Sequence, residues 1–174
     1  MMNTLSARML PEFEQEMANT RKILEKIPED KFDFKPHEKS MSLGHLAGHV
    51  AELSGWGTSV LETELLTFGP EHKPFDPKTR KEVLDLFEQG VKKTSERLAE
   101  ASDEHLSKNW TLKFGDYTIL SMPRADVLRS VVLNHVIHHR AQLGVYLRLN
   151  DIALPGMYGP SADETFPPQA HAQA

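Results

Sequence analysis

The histidines are the residues of this chain whose types and spacing could do chemistry. The sequence has 174 residues with nine histidines and no cysteine, so a transition metal would have to be bound through nitrogen and oxygen atoms. Three of the histidines, His135, His138 and His139, lie within five positions of the segment NHVIHHRAQLGVYLRLN. This segment is predicted to be helical, so the direction of each imidazole follows from its position around the helix axis.

His135 and His139 lie about 40° apart on such a helix, because they are separated by one turn. Imidazoles at positions i and i+4 project in parallel, which is the spacing by which helices commonly bind a metal. His138 lies to one side of their stripe. The other members of the stripe are mainly apolar: Leu128, Val131, Val132, Gln142, Leu143 and Tyr146. We therefore predict that His135 and His139 face the core together.

A second predicted helix contributes His49 to the same core. This histidine lies in the middle of a stripe formed by Leu46, Leu53, Trp56 and Val60. Its imidazole would meet those of His135 and His139 and give three converging nitrogen ligands. A site with three protein ligands leaves coordination positions open for water or substrate, as metal-assisted catalysis requires.

The other histidines support weaker interpretations. His45 lies one turn before His49 and is a candidate fourth ligand, a candidate partner of a ligand histidine, or a candidate base at the rim of the pocket. His45 and His138 are both weak candidates for a catalytic role. Glu52 could orient a ligand imidazole or could be a solvated charge. A third interpretation is that the three inward histidines hydrogen-bond one another in a metal-free core, which would cost about 1–3 kcal/mol for each donor or acceptor left without a partner. The remaining histidines are predicted to lie at the surface: His37, His72, His105 and His171.

Four amphipathic helices are predicted to position these residues, which indicates an all-α fold of the four-helix bundle type. Apolar residues recur every three or four positions in the first helix, from Leu5 to Ile27. The second helix runs through LGHLAGHVAELSGWGTSVLETELL after a cap at Ser40 or Ser42, and the third begins at Thr79.

The connections between these helices differ in length. A long crossover that contains TFGPEHKPFDPK joins the second and third helices. The segment NWTLKFGDYTIL predicts a possible short hairpin around Gly115, directly before a fourth helix that runs from Pro123 to near Asn150. We expect one domain over residues 1–164, followed by a disordered tail over residues 165–174 that is rich in Ala and Gln.

Composition narrows the possible partners. Hydrophobic residues make up 39% of the chain and charged residues 26%, with a net charge of −5, as in an ordinary globular protein. Because no basic run is interleaved with aromatic residues, nucleic acid is not an expected partner. No segment approaches the ~18 consecutive apolar residues that span a bilayer, and acidic residues arrive too early for a signal peptide. We expect a cytoplasmic protein with no membrane partner.

With these residues identified, the chain resembles the DinB family of DinB/YfiT-like proteins, which are regarded as metalloenzymes. The resemblance rests on FKPHEKSMSLGHLAGHVAEL (34–53), LNHVIHHRAQLGVYLR (133–148) and LPGMYGPSADE (154–164). It implies a four-helix bundle with up-down-down-up connectivity, and a metal site formed by His49 together with the HxxxH pair His135 and His139. It does not assign a role to His45 or His138.

The resemblance also implies a divalent metal, most often zinc or nickel. The all-nitrogen ligand set suits zinc, nickel or iron and disfavours magnesium and calcium. Characterised relatives include S-transferases that use low-molecular-weight thiols such as bacillithiol or mycothiol, and a thiol-dependent isomerase. The leading hypothesis is therefore a metal-dependent thiol S-transferase or hydrolase that activates a small-molecule thiol or water. The alternative is a non-catalytic, stress-related protein in which the metal is structural.

The resemblance implies a homodimer, and the fourth helix offers a second argument for one. Four apolar or small residues, Leu133, Val136, Ile137 and Gly144, lie opposite or beside the histidine stripe. A helix that is apolar on two sides is either fully buried or pairs with a partner. The segment YGPSADE is expected either to cover the end of the bundle or to contact the partner.

Overall fold

Four long helical stretches make up most of residues 4–164, the part of the chain that this computed structural model describes. The predictions for the tail over residues 165–174, including His171, lie outside the described residues. In chain order the helices are α1 (Leu5–Leu24), α2 (Leu43–Glu62), α3 (Arg80–Glu100), the short α4 (Asp103–Ser107), α5 (Arg124–Val127) and α6 (Asn134–Leu149). A π-helical segment (Leu128–Leu133) joins α5 to α6 into one continuous stretch.

Side-chain caps fix where the second and third helices begin. The hydroxyl of Ser42 accepts a hydrogen bond from the backbone N–H of His45 at 3.2 Å, and that of Thr79 accepts one from Glu82 at 3.1 Å. Each bond satisfies a backbone donor that has no partner within the helix. The predicted starts at Thr79 and at the second of the two serines are therefore confirmed.

Helix α2 packs against both α3 and α6, and α1 packs against the same two helices. The approach of α2 to α3 is close because a glycine lies at the contact. A Cβ atom added at Gly90 of α3 would lie 2.2 Å from Oγ of Ser54 and 2.6 Å from the backbone nitrogen of Gly55. Hydrogen bonds cross the same contact, since Ser54 donates to the carbonyl of Phe87 at 3.0 Å. This packing holds α2 in place despite its several glycines.

A small sheet corrects the all-α prediction. Within the described range, strands β1 (Leu65–Phe68), β2 (Asn109–Phe114) and β3 (Tyr117–Pro123) form a three-stranded sheet in the order β1-β2-β3. β1 is parallel to β2 and β2 is antiparallel to β3. The sequence predicts the end of the second helix and the crossover where β1 lies. Leu65 and Leu66 continue an apolar run of that helix, and their pairing partners lie far along the sequence.

The predicted hairpin before the last helical stretch is confirmed, since β2 and β3 pair on either side of Gly115 and Asp116. Gly115 has a φ of +53°, a conformation that glycine adopts without the steric cost that a Cβ atom brings. Its backbone N–H donates to the carbonyl of Phe68 at 2.9 Å, so the turn is tied to the crossover.

Arg124 anchors the start of the last helical stretch to the end of α2. Its buried guanidinium donates to the carbonyls of Val60 at 3.0 Å and Thr63 at 2.9 Å, and to those of Lys108 and Asn109 at 3.3 Å. Carbonyls at a helix C-terminus lack partners within the helix and carry partial negative charge, which a cation stabilises.

The segment after α6 packs onto its own chain. Arg140 of α6 forms an ion pair of 2.8 Å with Glu16 of α1, and the hydroxyl of Tyr158 lies 2.6 Å from Arg140 and 2.7 Å from Glu16. Asp163 pairs with Arg148 and also accepts the backbone N–H of Leu154 at 2.8 Å. The segment YGPSADE therefore packs on a face of α1 and α6 of its own chain.

A helix that is apolar on two sides is expected either to be buried or to pair with a partner, and the second apolar side of this helix is largely buried within the chain. Leu133 and Val136 are 1% and 0% exposed because they pack within the chain's own core. The exposed apolar residues of α6 are instead Val145 and Leu149. Among the described residues, no helix is long and apolar enough to span a membrane.

Candidate metal centre

Helices α2 and α6 bring His49, His135 and His139 together. One ring nitrogen of each residue lies within 4.8 Å of those of the other two, so the three could together hold a metal ion. The ring centroids are 4.7–5.1 Å apart. His139 is buried, while His49 and His135 are half-buried, so the cluster lies at the boundary between core and solvent.

The spacing of two of the nitrogens fits a tetrahedral metal. Nε2 of His49 lies 3.4 Å from Nε2 of His135. Two nitrogens bound to zinc at 2.0–2.1 Å with a tetrahedral angle would be about 3.3–3.4 Å apart. Within a core, two imidazole nitrogens facing each other without an ion can share at most one hydrogen bond. The donor set and this distance both suit a borderline-soft divalent metal.

An outer contact orients the ring of His139. Its Nδ1 atom lies 2.7 Å from Oε1 of Gln142, one turn further along α6. Ligand histidines in metal sites generally make such contacts through the nitrogen that does not bind the metal.

The surroundings lower the pKa of all three imidazoles. The pKa of His49 falls from 6.5 to about 4, mainly because burial disfavours the charged ring and then because the neighbouring charged rings repel it. Burial is also the largest cause of the lowered pKa of His135 and of His139. The rings are therefore neutral at neutral pH, which is the state in which imidazole binds metals.

An aromatic row extends from the cluster to the crossover. The ring of Trp56 meets that of His135 edge to face at 6.1 Å, and Phe68 of β1 lies 5.5 Å from Trp56. The exposed His72 contacts Phe68 in turn at 4.8 Å. Trp56, which the sequence places on the same stripe as His49, therefore lies against a histidine of the cluster.

His45 and Glu52 are not part of the cluster. His45 is half-buried and lines an open cleft with Ser42, Asp33 and Asp76, and it affects the cluster through its charge, which helps to lower the pKa of His49. Oε1 of Glu52 accepts the backbone N–H of Phe75 at 3.1 Å, so this carboxylate holds the crossover and does not orient an imidazole.

His138 lies at the rim of the cluster, which agrees with its predicted position to one side of the histidine stripe. Its side chain is exposed, and its ring centroid is 4.8 Å from that of His139. The surface predictions hold for His37 and His72, which are exposed. His105 is half-buried instead, because its Nε2 lies 2.8 Å from the carbonyl of Leu61 at the end of α2.

Sequence reasoning missed the contacts made by Gln142 and Phe68. The first had a signal, because Gln142 follows His139 by three positions and residues at i and i+3 are neighbours on a helix. Phe68 had none, since it lies in a strand within the crossover and its position depends on pairing with β2.

The fold and the site define a predominantly helical protein in which two helices join three histidines into a group that could hold a metal. The chain belongs to the DinB family, which its sequence matches over residues 1–170. It is similar to the uncharacterised protein YrdA of Bacillus subtilis strain 168, with 25% identity over 163 residues that cover 89% of each chain.

Two solved structures share the fold. A DinB-like protein of Bacillus cereus ATCC 10987 has a TM-score of 0.66 at 22% identity, with 86% of this chain and 95% of that chain covered. The DinB-like protein YjoA of Bacillus subtilis has a TM-score of 0.65 at 22% identity, with 86% and 96% covered. At these identities the likeness supports the predominantly helical DinB-like fold.

Proposed function

We propose that His49, His135 and His139 bind a divalent transition metal, and that the protein is a metal-dependent enzyme acting on a small molecule. Zinc and nickel are the leading metals, and iron also suits the all-nitrogen ligand set. The observation that carries the proposal is the convergence of three neutral imidazoles from two helices, with two Nε2 atoms only 3.4 Å apart.

The reaction that we propose is a thiol S-transfer or a hydrolysis. A divalent metal at this site would supply Lewis-acid chemistry that favours the anionic form of a thiol or of water at neutral pH. The three ligands are neutral, so they do not offset the charge of the cation. Because the chain has no cysteine, a thiol would come from a second molecule, for example a low-molecular-weight cellular thiol.

The protein would also give a small molecule access to the metal site and exchange protons with it at the rim of the cluster. His49 and His135 are half-buried, which leaves a path for a small molecule. His138 is exposed beside His139 and is better placed than His45, which faces a separate cleft, to exchange a proton with a substrate. Both remain weaker candidates than the three ligand histidines.

Elemental analysis of protein purified without a metal-affinity tag tests metal binding. We expect stoichiometric metal in the wild type and its loss in His49→Ala and His135→Ala. The matched control is His37→Ala, which removes an exposed histidine outside the cluster and should leave the metal content unchanged. Metal-free wild-type protein that still binds its small-molecule ligand would contradict the proposal.

The alternative function is that of a non-catalytic, stress-related protein in which the metal is structural. One observation favours it: the cluster joins α2 to α6, so an ion there would link two helices that are distant in sequence. Cobalt substitution separates the two functions. A visible spectrum that changes when thiols or small anions are added supports catalysis. An unchanged spectrum, with a large fall in melting temperature when the metal is removed, supports a structural ion.

We also propose that the protein forms a homodimer and acts in the cytoplasm without nucleic acid or membrane partners. The dimer proposal rests on the family resemblance, since the second apolar face of the last helix packs within the chain. Sedimentation of the purified protein measures the oligomeric state directly.

A further inference from the structure

Gln142 makes a short polar contact with the three-histidine cluster from the exposed side of α6. Its Oε1 atom lies 2.7 Å from Nδ1 of His139. An amide oxygen only accepts hydrogen bonds, so this contact requires a proton on Nδ1 of His139. In a neutral imidazole the other nitrogen, Nε2, then carries the lone pair that a metal needs.

We propose that Gln142 is a positioning residue that holds His139 in the Nδ1–H tautomer before a metal binds. The lone pair of Nε2 of His139 is then available to the shared site. Without this acceptor the neutral ring can hold its proton on either nitrogen, and the population with the proton on Nε2 cannot bind through that atom.

The choice of an amide at position 142 has a separate consequence. A carboxylate in the same place would raise the basicity of the ligand and add negative charge near the ion, while an amide fixes the ring without doing so. Replacing Gln142 with Glu should therefore retain the tautomer and bind zinc at least as tightly as the wild type. Replacing it with Met, which has similar length and no strong acceptor, should release the tautomer.

Nitrogen–proton correlation spectra of the metal-free protein at pH 8 test the tautomer directly. We expect His139 in the Nδ1–H form in the wild type. In Gln142→Met the signal of His139 should move toward a mixture of tautomers while that of His135 stays unchanged. A wild-type His139 with its proton on Nε2, or an unchanged His139 in the variant, would overturn the proposal.

Zinc affinity, measured by competition with a chelator, gives the second readout and rests on the proposed function. Gln142→Met should bind zinc about 10- to 100-fold more weakly, as for other losses of an outer partner of a ligand. The control Gln89→Met changes an exposed glutamine on α3 and should bind like the wild type.

The two measurements fail separately. If the wild type binds no zinc, the proposed function is contradicted. The tautomer of His139 in the metal-free protein can still be measured and still tests the positioning role of Gln142. If His49→Ala abolishes zinc binding and Gln142→Met binds like the wild type, metal binding stands and the positioning role of Gln142 is excluded.

Discussion

Arg140 of α6 and Glu16 of α1 form an ion pair of 2.8 Å whose side chains are only 3% and 9% exposed. The guanidinium also donates to the backbone carbonyl of Glu16 at 3.0 Å and to the hydroxyl of Thr20 at 3.2 Å. A buried charge is tolerated only when it is paired and hydrogen-bonded, and these contacts meet that condition. The pair therefore fixes α6 against α1 one residue beyond His139.

Replacing Arg140 with Met should lower the free energy of unfolding by about 3–5 kcal/mol, because the carboxylate of Glu16 would be left buried without its partner. Urea unfolding measures the change. Lys81→Met is the matched control, since Lys81 pairs with Asp85 on the surface and its loss should change stability by about 0.5 kcal/mol or less. Equal effects of the two substitutions would contradict a special role for the buried pair.

Tyr158→Phe should destabilise the protein by about 0.5–1.5 kcal/mol, because the hydroxyl is hydrogen-bonded to two charged groups although the side chain is 67% exposed. The variant should also expose residues 151–164 to limited proteolysis. The matched control is Tyr117→Phe, because Tyr117 is similarly exposed, at 73%, and its hydroxyl makes none of the hydrogen bonds found among the described residues. If the two variants have the same unfolding free energy and the same cleavage rate, Tyr158 does not hold this segment.

Two glycine-to-alanine substitutions should change stability in opposite directions. In Gly90→Ala the new Cβ atom would lie 2.6 Å from a backbone nitrogen of α2, so the helices must separate, at a cost of about 1–3 kcal/mol. Gly144→Ala places its Cβ atom in open space within α6 and should stabilise the protein by about 0.5–1 kcal/mol. Thermal unfolding of both variants tests the close approach of α2 and α3. If neither variant loses stability, the close approach is excluded.

The metal-free protein should lose stability on acidification from about pH 6.5 to about pH 4. The pKa of His49 is lowered to about 4 in the folded state, whereas in the unfolded chain it is near 6.5. Over this window the unfolded state binds the proton and the folded state does not, so the free energy of unfolding falls as the pH falls. His49→Gln should flatten this dependence.

The control for this pH series is His37→Gln, which alters an exposed histidine and should retain the wild-type slope. Unfolding in urea at pH 7, 6, 5 and 4.5 gives the slope for each protein. A slope in His49→Gln equal to that of the wild type would show that the ring is not desolvated in the folded protein.

Local sequence signals predicted the helices and the cluster well. Caps and apolar spacing located the starts of α2 and α3, and helical phase on two segments selected His49, His135 and His139, which the structure brings together. These signals depend on residues only a few positions apart, and the position of a residue along a helix determines the direction of its side chain.

The features that were missed depend on contacts between distant residues. Strand β1 exists because it pairs with β2, more than forty positions away, as Leu65 does with Thr111. No local sequence pattern predicts the ion pair of Glu16 with Arg140, because the two residues lie far apart in the sequence. The π-helical segment was also unpredicted, since its residues have the same apolar spacing that an α-helix would have.

The π-helical segment has a consequence for the length of the chain. Arg124 before it is anchored to carbonyls at the end of α2, and Arg140 after it is anchored to Glu16, so the residues between them must bridge two fixed points. A π-helical turn holds about one residue more than an α-helical turn, so deleting the exposed Ser130 would give an uninterrupted α-helix and leave the direction of α6 relative to Arg124 nearly unchanged. Deletion of this one residue, which touches none of the three histidines, should therefore leave the cluster assembled.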